Sequence, residues 1–200
     1  DQEAGHWILD SKISTPMSTY SDFKNSRTSF GINVMKSIVV EVEASDGSIG
    51  VSTGQGGAPA CYMIEQHFRR FIVGLDPRDI NKAWDQMYRS SMYYGGKGLP
   101  MWAISVVDLA LWDLLGQLRQ EPVYKMIGGA VRDEIELYCT GIRPDVAKDA
   151  GFIGGKMPLP FAPVDRNKGL KANVEHFQKM RDKVGPDFWL MADCWMSLDV

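Results

Sequence analysis

The sequence has few cysteines, no long apolar run and no surplus of basic residues. Cys61, Cys139 and Cys194 are an odd number of cysteines and lack the CxxC spacing of a zinc or redox site. They give no disulfide framework and favour a reducing, cytoplasmic compartment. No apolar run approaches the roughly 20 residues that cross a membrane, and no signal peptide is visible.

The charge balance excludes a further class of protein. Lys and Arg number 22 and Asp and Glu number 25, which gives a net charge of −3. A nucleic-acid-binding protein usually has a basic surface, and this composition does not supply one. The apolar share of 44% and the charged share of 24% are typical of a globular domain with a core. The chain begins with Asp1 rather than Met, and we expect it to be part of a longer protein.

Residues 1–130 predict an α+β domain. Polar residues 1–31 predict a long loop, which we interpret as an ordered lid. Alternating apolar residues predict a strand over 34–43, and Asp46–Gly47 predicts a turn into a second strand over 49–52. The glycines of residues 52–59 predict a second loop. Helices are expected from Pro59, from Asp76 and over the strongly apolar residues 101–118.

Residues 131–200 predict a different architecture. Strands are expected over 134–139, 152–157 and 188–192, and helices over 143–150 and 167–184, the second with Leu170, Val174, Phe177 and Met180 on its buried face. This alternation is typical of parallel strands joined by helices. The segment therefore reads as the start of an α/β domain with its first three strands.

Three residues are candidates for a functional site. Asp193 follows an apolar strand directly, and the carboxyl ends of parallel strands are where such folds place their active sites. Its carboxylate would suit Mg²⁺, although it could equally cap the next segment. Lys156 stands at the end of the preceding strand, after a glycine pair that indicates close backbone approach. The alternative is that it is a solvated lysine at a strand end. Arg27, in the lid, could bind a carboxylate or be a surface arginine.

Two longer stretches carry a family resemblance. Residues 103–116 and 122–129 resemble the signature that joins the capping domain to the barrel in the enolase superfamily; they read AISVVDLALWDLLG and PVYKMIGG. The resemblance implies an α+β capping domain followed by the first part of an α/β (β/α)8 (TIM-like) barrel. It also implies an incomplete barrel here, because a full one needs roughly 250 residues.

Four further stretches narrow the resemblance to the acid-sugar dehydratases of the mandelate-racemase-like branch: residues 14–18, 26–31, 151–158 and 188–197. This branch implies Mg²⁺ held by three carboxylates on successive strand ends, of which Asp193 matches the first. The other two, and a general-base His paired with an Asp, are expected beyond Val200. Arg27 matches a lid arginine that contacts the substrate.

Two positions depart from the superfamily pattern. Many members carry a basic lysine two residues after the position of Lys156, but Pro158 stands there and cannot accept a proton. Trp195 replaces a usual Asn and would give an apolar wall to a substrate site. The resemblance thus implies a lyase that acts on a small acid sugar, usually as a homo-oligomer. A racemase, or a non-catalytic member of the same fold, stays open as an alternative.

Overall fold

The computed structural model describes residues 12–24, 28–31 and 34–198, which fall into two compact units. One unit spans residues 33–133, and the other combines the N-terminal residues up to 32 with residues 134–200. We expected residues 1–31 to belong to the first domain. Their described part contacts residues of the second unit, since Ser14 hydrogen-bonds to Leu159 and Ser197, and their assignment to the first domain stays a prediction.

A β-hairpin forms the sheet of the unit that spans 33–133. Strand β1 (Ser37–Glu43) pairs antiparallel with β2 (Ile49–Gln55). The turn is held by the Asp46 carboxylate, which accepts a hydrogen bond from the Ser48 N–H at 2.9 Å. That bond lowers the pKa of Asp46. The predicted hairpin is confirmed, although β2 continues three residues beyond the expected end.

Four helical segments accompany the hairpin. Helix α1 comprises Gly57–Met63, a π-helical stretch Ile64–Phe68 and Arg69–Ile72. It is followed by α2 (Ile80–Ser91), α3 (Leu99–Arg119) and the short α4 (Val123–Met126). Their apolar faces and β1 share one core, whose buried members are Ile38, Ala60, Phe68, Ile80, Ala83, Met87, Ala103, Ile104, Val106, Val107, Leu111 and Leu115.

Helix α3 lies directly on β2 because two glycines let it approach. A Cβ on Gly50 would lie 2.2 Å from the Ala110 carbonyl oxygen, and one on Gly54 would lie 2.2 Å from Val106 Cγ1. Hydrogen bonds also hold α3 against β2. The Ser52 hydroxyl donates to the Val106 carbonyl, and the Val51 N–H donates to Asp113 Oδ2 at 2.8 Å.

Two expectations for this unit were wrong in detail. Residues 52–59 are not a loop, since β2 runs to Gln55 and α1 begins at Gly57. Their glycines serve close packing: a Cβ on Gly57 would lie 1.7 Å from the Met35 carbonyl oxygen. Helix α2 begins at Ile80 rather than near Asp76, because Asp76 binds Arg78 in a turn, which lowers the pKa of Asp76 to about 2.

Helix α3 also bears on the expectation that no apolar run approaches the length of a membrane span. Among the described residues, it is the one helix long and apolar enough to meet that criterion. It carries Asp108 and Asp113, and its buried residues form the centre of the core. In this structure it is therefore the core helix of its unit.

The second unit is a parallel three-stranded sheet with helices between the strands. Strands β3 (Tyr138–Thr140), β4 (Gly154–Pro158) and β5 (Trp189–Asp193) lie in that order. Both neighbouring pairs are parallel, as predicted. Helix α5 (Pro144–Asp149) connects β3 to β4, and α6 (Arg166–Val184) connects β4 to β5. A small core, Ala147, Met157, Met180, Val184 and Phe188, lies between helices and sheet.

The structure differs from the prediction at two places in this unit. Strand β3 is shorter than expected, since residues 134–137 lie outside it. In α6, Phe177 packs against the core as predicted and Met180 is part of it, but Leu170 and Val174 are exposed. The contacts of α6 with the small core thus come from its C-terminal half.

We expect Gly50→Ala to lower the free energy of unfolding by about 3 kcal/mol, at the upper end of typical overpacking costs. The new methyl group would meet backbone atoms of α3, which cannot move aside as a flexible side chain can. Thermal and urea unfolding of the complete protein, followed by circular dichroism, would measure it. Gly141→Ala is the control, because its Cβ would meet no atom within 4 Å. Equal stability of the two variants would contradict this account of the packing.

Asp108 and Asp113 should respond in opposite directions to replacement by Ala. Burial raises the pKa of Asp108, so its charge lowers stability once the pH exceeds the unfolded value of about 3.9. Asp108→Ala should therefore stabilise the protein at pH 8. The part of the gain that depends on charge should vanish below pH 4, and the part that reflects the higher helix propensity of Ala should remain. Asp113→Ala removes the acceptor of the Val51 N–H and should destabilise the protein. Urea unfolding at several pH values would measure both variants. If Asp108→Ala were less stable than Asp113→Ala at pH 8, this account would be wrong.

Candidate active site

The parallel register sorts the side chains of the second unit onto two faces. Cys139, Met157 and Leu190 face the helices, where they belong to or pack against the small core. Because successive side chains of a strand alternate, their neighbours Tyr138, Lys156 and Asp193 lie on the other face. The register agrees, since Pro158 stands opposite Asp193 and Lys156 opposite Met191.

Asp193 and Lys156 meet at the carboxyl edge of this face. Lys156 Nζ lies 3.1 Å from Asp193 Oδ2, and both side chains are about 70% buried, with 27% and 29% exposure. The same ammonium lies 5.7 Å from the centre of the Tyr138 ring, within the range of a cation–π contact. The two sequence candidates are therefore brought together as one ion pair at the edge where active sites of such folds lie.

The glycines before Lys156 set how closely β4 packs. A Cβ on Gly155 would lie 2.6 Å from Pro144 Cβ, and one on Gly154 would lie 2.8 Å from the Trp189 carbonyl oxygen. The predicted close backbone approach is confirmed on both sides of the strand. It fixes β4 against α5 and β5, and with β4 the origin of the Lys156 side chain.

Asp193 opens a tight turn rather than a helix. The Trp195 N–H donates to Asp193 Oδ1 at 3.2 Å, and the Ser197 N–H donates to the Cys194 carbonyl at 2.8 Å. Trp195 and Met196 both have positive φ, at 44° and 57°. Such a conformation is rare in residues other than glycine and requires support from surrounding contacts.

The N-terminal segment, residues 12–24, supplies part of that support. It contains the 3₁₀ turns Pro16–Thr19 and Ser21–Phe23, and it contacts residues that follow β4 and β5. The Ser14 and Ser197 hydroxyl oxygens are 2.8 Å apart and buried. At the other end, Lys24 forms an ion pair with Asp165. The sequence analysis missed these serines, because a serine pair 183 positions apart leaves no local pattern.

Other sequence candidates lie elsewhere. Arg27 is outside the described residues. Of the described histidines, His67 belongs to the other unit, where its Nδ1 lies 2.7 Å from Tyr94 Oη. His176 lies on α6, where it lines a cavity with Pro158 and Phe161, and burial lowers its pKa.

The residues of this edge fit one part of a metal site. Asp193 offers hard carboxylate oxygens of the kind that Mg²⁺ prefers. In the described part of the chain, no group of three or more His, Cys, Asp or Glu side chains could enclose a metal ion. Asp193 can therefore act as a single ligand of a larger set.

Comparison with known proteins identifies the family. The description "mandelate racemase / muconate lactonizing enzyme, N-terminal domain" matches residues 12–128, more than half of the chain. The chain belongs to this family, which is part of the enolase superfamily. The predicted superfamily, and the reading of this chain as a capping domain followed by the start of a barrel, are thereby confirmed.

Individual family members are similar over the whole chain. An L-rhamnonate dehydratase of Saccharopolyspora erythraea is 55% identical over 200 residues, which are all of this chain and 51% of the relative. The crystal structure of rhamnonate dehydratase from Gibberella zeae complexed with Mg is 57% identical, with a TM-score of 0.95 over 98% of this chain and 48% of that one.

A more distant structure, a racemase from Streptomyces coelicolor A3(2) with bound magnesium, is 31% identical with a TM-score of 0.71 over 80% of this chain and 47% of that one. The chain thus spans about half the length of these relatives.

We expect Lys156→Met to strengthen binding of Mg²⁺ to the complete protein by about three- to tenfold at low ionic strength. The substitution removes a positive charge 3.1 Å from Asp193 Oδ2 and hence repulsion against a cation there. Isothermal titration calorimetry would measure the affinity. Lys148→Met is the matched control, because Lys148 Nζ donates to the Val184 carbonyl, near the amino end of β5. Weaker binding by Lys156→Met would refute the repulsion.

Proposed function

We propose that the complete protein is a Mg²⁺-dependent L-rhamnonate dehydratase that forms 2-keto-3-deoxy-L-rhamnonate. The observation that carries the proposal is the 55% identity over the whole chain to a protein of that name, combined with Asp193 at the carboxyl end of β5. The similar rhamnonate dehydratase structure complexed with Mg supports the choice of metal.

In this proposal, Asp193 is one of the carboxylates that hold the metal. Bound Mg²⁺ would supply positive charge to the substrate carboxylate, which makes the neighbouring C–H proton more acidic. The reaction removes that proton and then loses the adjacent hydroxyl as water. We place the general base, a His paired with an Asp, outside residues 1–200, where the resemblance to the acid-sugar dehydratases implies it.

Lys156, Trp195 and Arg27 are the proposed substrate-binding residues. The Lys156 ammonium stands beside Asp193 and can donate to an oxygen of an acid sugar bound there. Trp195 is held two residues after the proposed ligand by the bond of its N–H to Asp193 Oδ1. Its indole would offer an apolar surface to the methyl group of a 6-deoxy sugar acid. Arg27 would bind the substrate carboxylate with its planar, bidentate guanidinium.

We also propose that the protein acts in the cytoplasm as a homo-oligomer whose ligand is a small acid sugar rather than nucleic acid or a membrane. The three cysteines are free in the structure, which suits a reducing compartment. The net charge of −3 gives no electrostatic attraction to nucleic acid.

The test is to incubate the complete protein with L-rhamnonate and Mg²⁺ and to measure the 2-keto acid. EDTA should abolish product formation and added Mg²⁺ should restore it. Asp193→Asn should lower kcat/KM about a hundredfold or more, because even residues that only support metal ligands cost 10–100-fold. Asp187→Asn, the same change on an exposed residue before the start of β5, should leave the rate unchanged.

The other readings predict different results. Exchange of the proton next to the carboxylate without loss of water would indicate a racemase; this chain is also similar to the racemase structure from Streptomyces coelicolor A3(2). Turnover of L-lyxonate or L-mannonate but not L-rhamnonate would indicate a sibling dehydratase. Absence of both Mg²⁺ binding and turnover would indicate a non-catalytic member and would overturn the proposal.

A further inference from the structure

The turn after Asp193 needs support beyond its own backbone hydrogen bond, from the Ser197 N–H to the Cys194 carbonyl. Trp195 and Met196 are consecutive residues with positive φ, and neither is glycine. Each such residue costs of order 1–3 kcal/mol unless surrounding contacts determine its conformation. Contacts between this turn and the residues around it therefore determine the orientation of the Asp193 carboxylate.

A closed chain of hydrogen bonds joins both ends of this turn to Ser14. The Leu159 N–H donates to the Asp193 carbonyl at 2.9 Å. Both the Ser14 N–H and the Ser14 hydroxyl donate to the Leu159 carbonyl, each at 2.8 Å. Because the single hydroxyl proton of Ser14 is used in this way, its oxygen accepts the hydrogen bond from the Ser197 hydroxyl.

Burial raises the free-energy cost of losing these hydrogen bonds. Ser14 is 1% exposed and Ser197 5% exposed. A buried hydroxyl that loses its partner has no water to replace it, so the loss is larger than the net value of an exposed hydrogen bond. The turn is thus fixed at Asp193 and again four residues later, and both points depend on one residue of a distant segment.

The segment that carries Ser14 is itself fixed at more than one point. Lys12 Nζ lies 3.7 Å from the centre of the Phe161 ring, and Lys24 is paired with Asp165, whose side chain is 13% exposed. Phe161 and Asp165 both lie between β4 and α6. Residues 12–24 therefore follow the carboxyl side of β4 along their length and do not depend on Ser14 alone.

We propose that Ser14 and Ser197 are positioning residues for Asp193, so that seating of residues 12–24 and binding of Mg²⁺ at Asp193 stabilise each other. This rests on the proposed function, in which Asp193 is a metal ligand. The coupling is reciprocal by thermodynamic linkage. Whatever breaks the bonds between the segment and the residues that follow β4 and β5 lowers the affinity for Mg²⁺, and bound Mg²⁺ makes the segment harder to release. A change confined to bonds within the segment does not.

The first measurement is the Mg²⁺ affinity of the complete protein and of Ser14→Ala, Ser197→Ala and the double variant. Each single variant should bind Mg²⁺ about three- to tenfold more weakly. Ser197→Ala removes the bond between the two hydroxyls, and Ser14→Ala removes that bond and the one to the Leu159 carbonyl. The double variant should bind Mg²⁺ about as weakly as the weaker-binding single variant, because both substitutions remove the hydrogen bond between Ser14 and Ser197.

Ser18→Ala is the matched control. Ser18 is a buried serine of the same segment, and its oxygen accepts from the Thr15 N–H rather than from the turn after Asp193. It should lose stability to a similar degree but keep the Mg²⁺ affinity of the unmodified protein. An equal loss of affinity in Ser18→Ala would show a general structural effect and overturn the positioning role.

Limited trypsin digestion gives a second readout that does not depend on activity. Mg²⁺ should slow cleavage after Lys24 in the unmodified protein and protect the Ser197→Ala variant less. Lys24→Met removes the ion pair with Asp165 and leaves the serines intact. It should also weaken Mg²⁺ binding, and it replaces the serine variants in the test if one of them fails to fold. Unchanged Mg²⁺ affinity in a folded Ser197→Ala would overturn the coupling.

The failures of the two proposals are distinguishable. If the unmodified protein binds Mg²⁺ and dehydrates L-rhamnonate while the serine variants match it in affinity, the positioning role is refuted and the function stands. If the unmodified protein does not bind Mg²⁺, both proposals fall. If it binds Mg²⁺ without turnover and the serine variants bind more weakly, the positioning role stands and the dehydratase does not.

Discussion

Parallel pairing of β4 with β5 is the constraint on which the candidate site depends. Because the side chains of a strand alternate, the burial of Met157 and Leu190 against the helices forces Lys156 and Asp193 to the opposite face. A shift of one residue in the register would turn the carboxylate to the face that the helices cover. The apolar packing of one face therefore fixes the chemistry of the other, without any direct contact between the two sets of side chains.

Close approach of backbone is the second means by which this chain fixes geometry, and both units use it. Gly50 and Gly54 let α3 lie on β2, and Gly154 and Gly155 let β4 lie against β5 and α5. In each case the glycine removes a Cβ that would overlap a neighbouring element. The rigid strands that result determine where the polar side chains at their ends begin.

The sequence predicts the regular elements well, because hydrophobic periodicity records which face is buried. It fails where the reason for a residue is a distant partner. Asp76 has the pattern of a helix start, but its pairing with Arg78 forms a turn instead. The glycines of residues 52–59 resemble a loop, although Gly57 is required by the Met35 carbonyl, 22 positions earlier. Asp193 was predictable from the strand before it, whereas the Ser14–Ser197 bond was not.

The two oxygens of Asp193 have different partners, and this difference determines what a cation bound at the carboxylate would meet. Oδ1 accepts from the Trp195 N–H, which orients the carboxylate within the turn. Oδ2 faces the Lys156 ammonium, which offsets its charge. A cation that binds Oδ2 meets a carboxylate already oriented, but it must do so beside a fixed positive charge. In the proposed function, the lysine that weakens binding of the cation is also the group that would face an anionic substrate, so one side chain would act on both the carboxylate and the substrate.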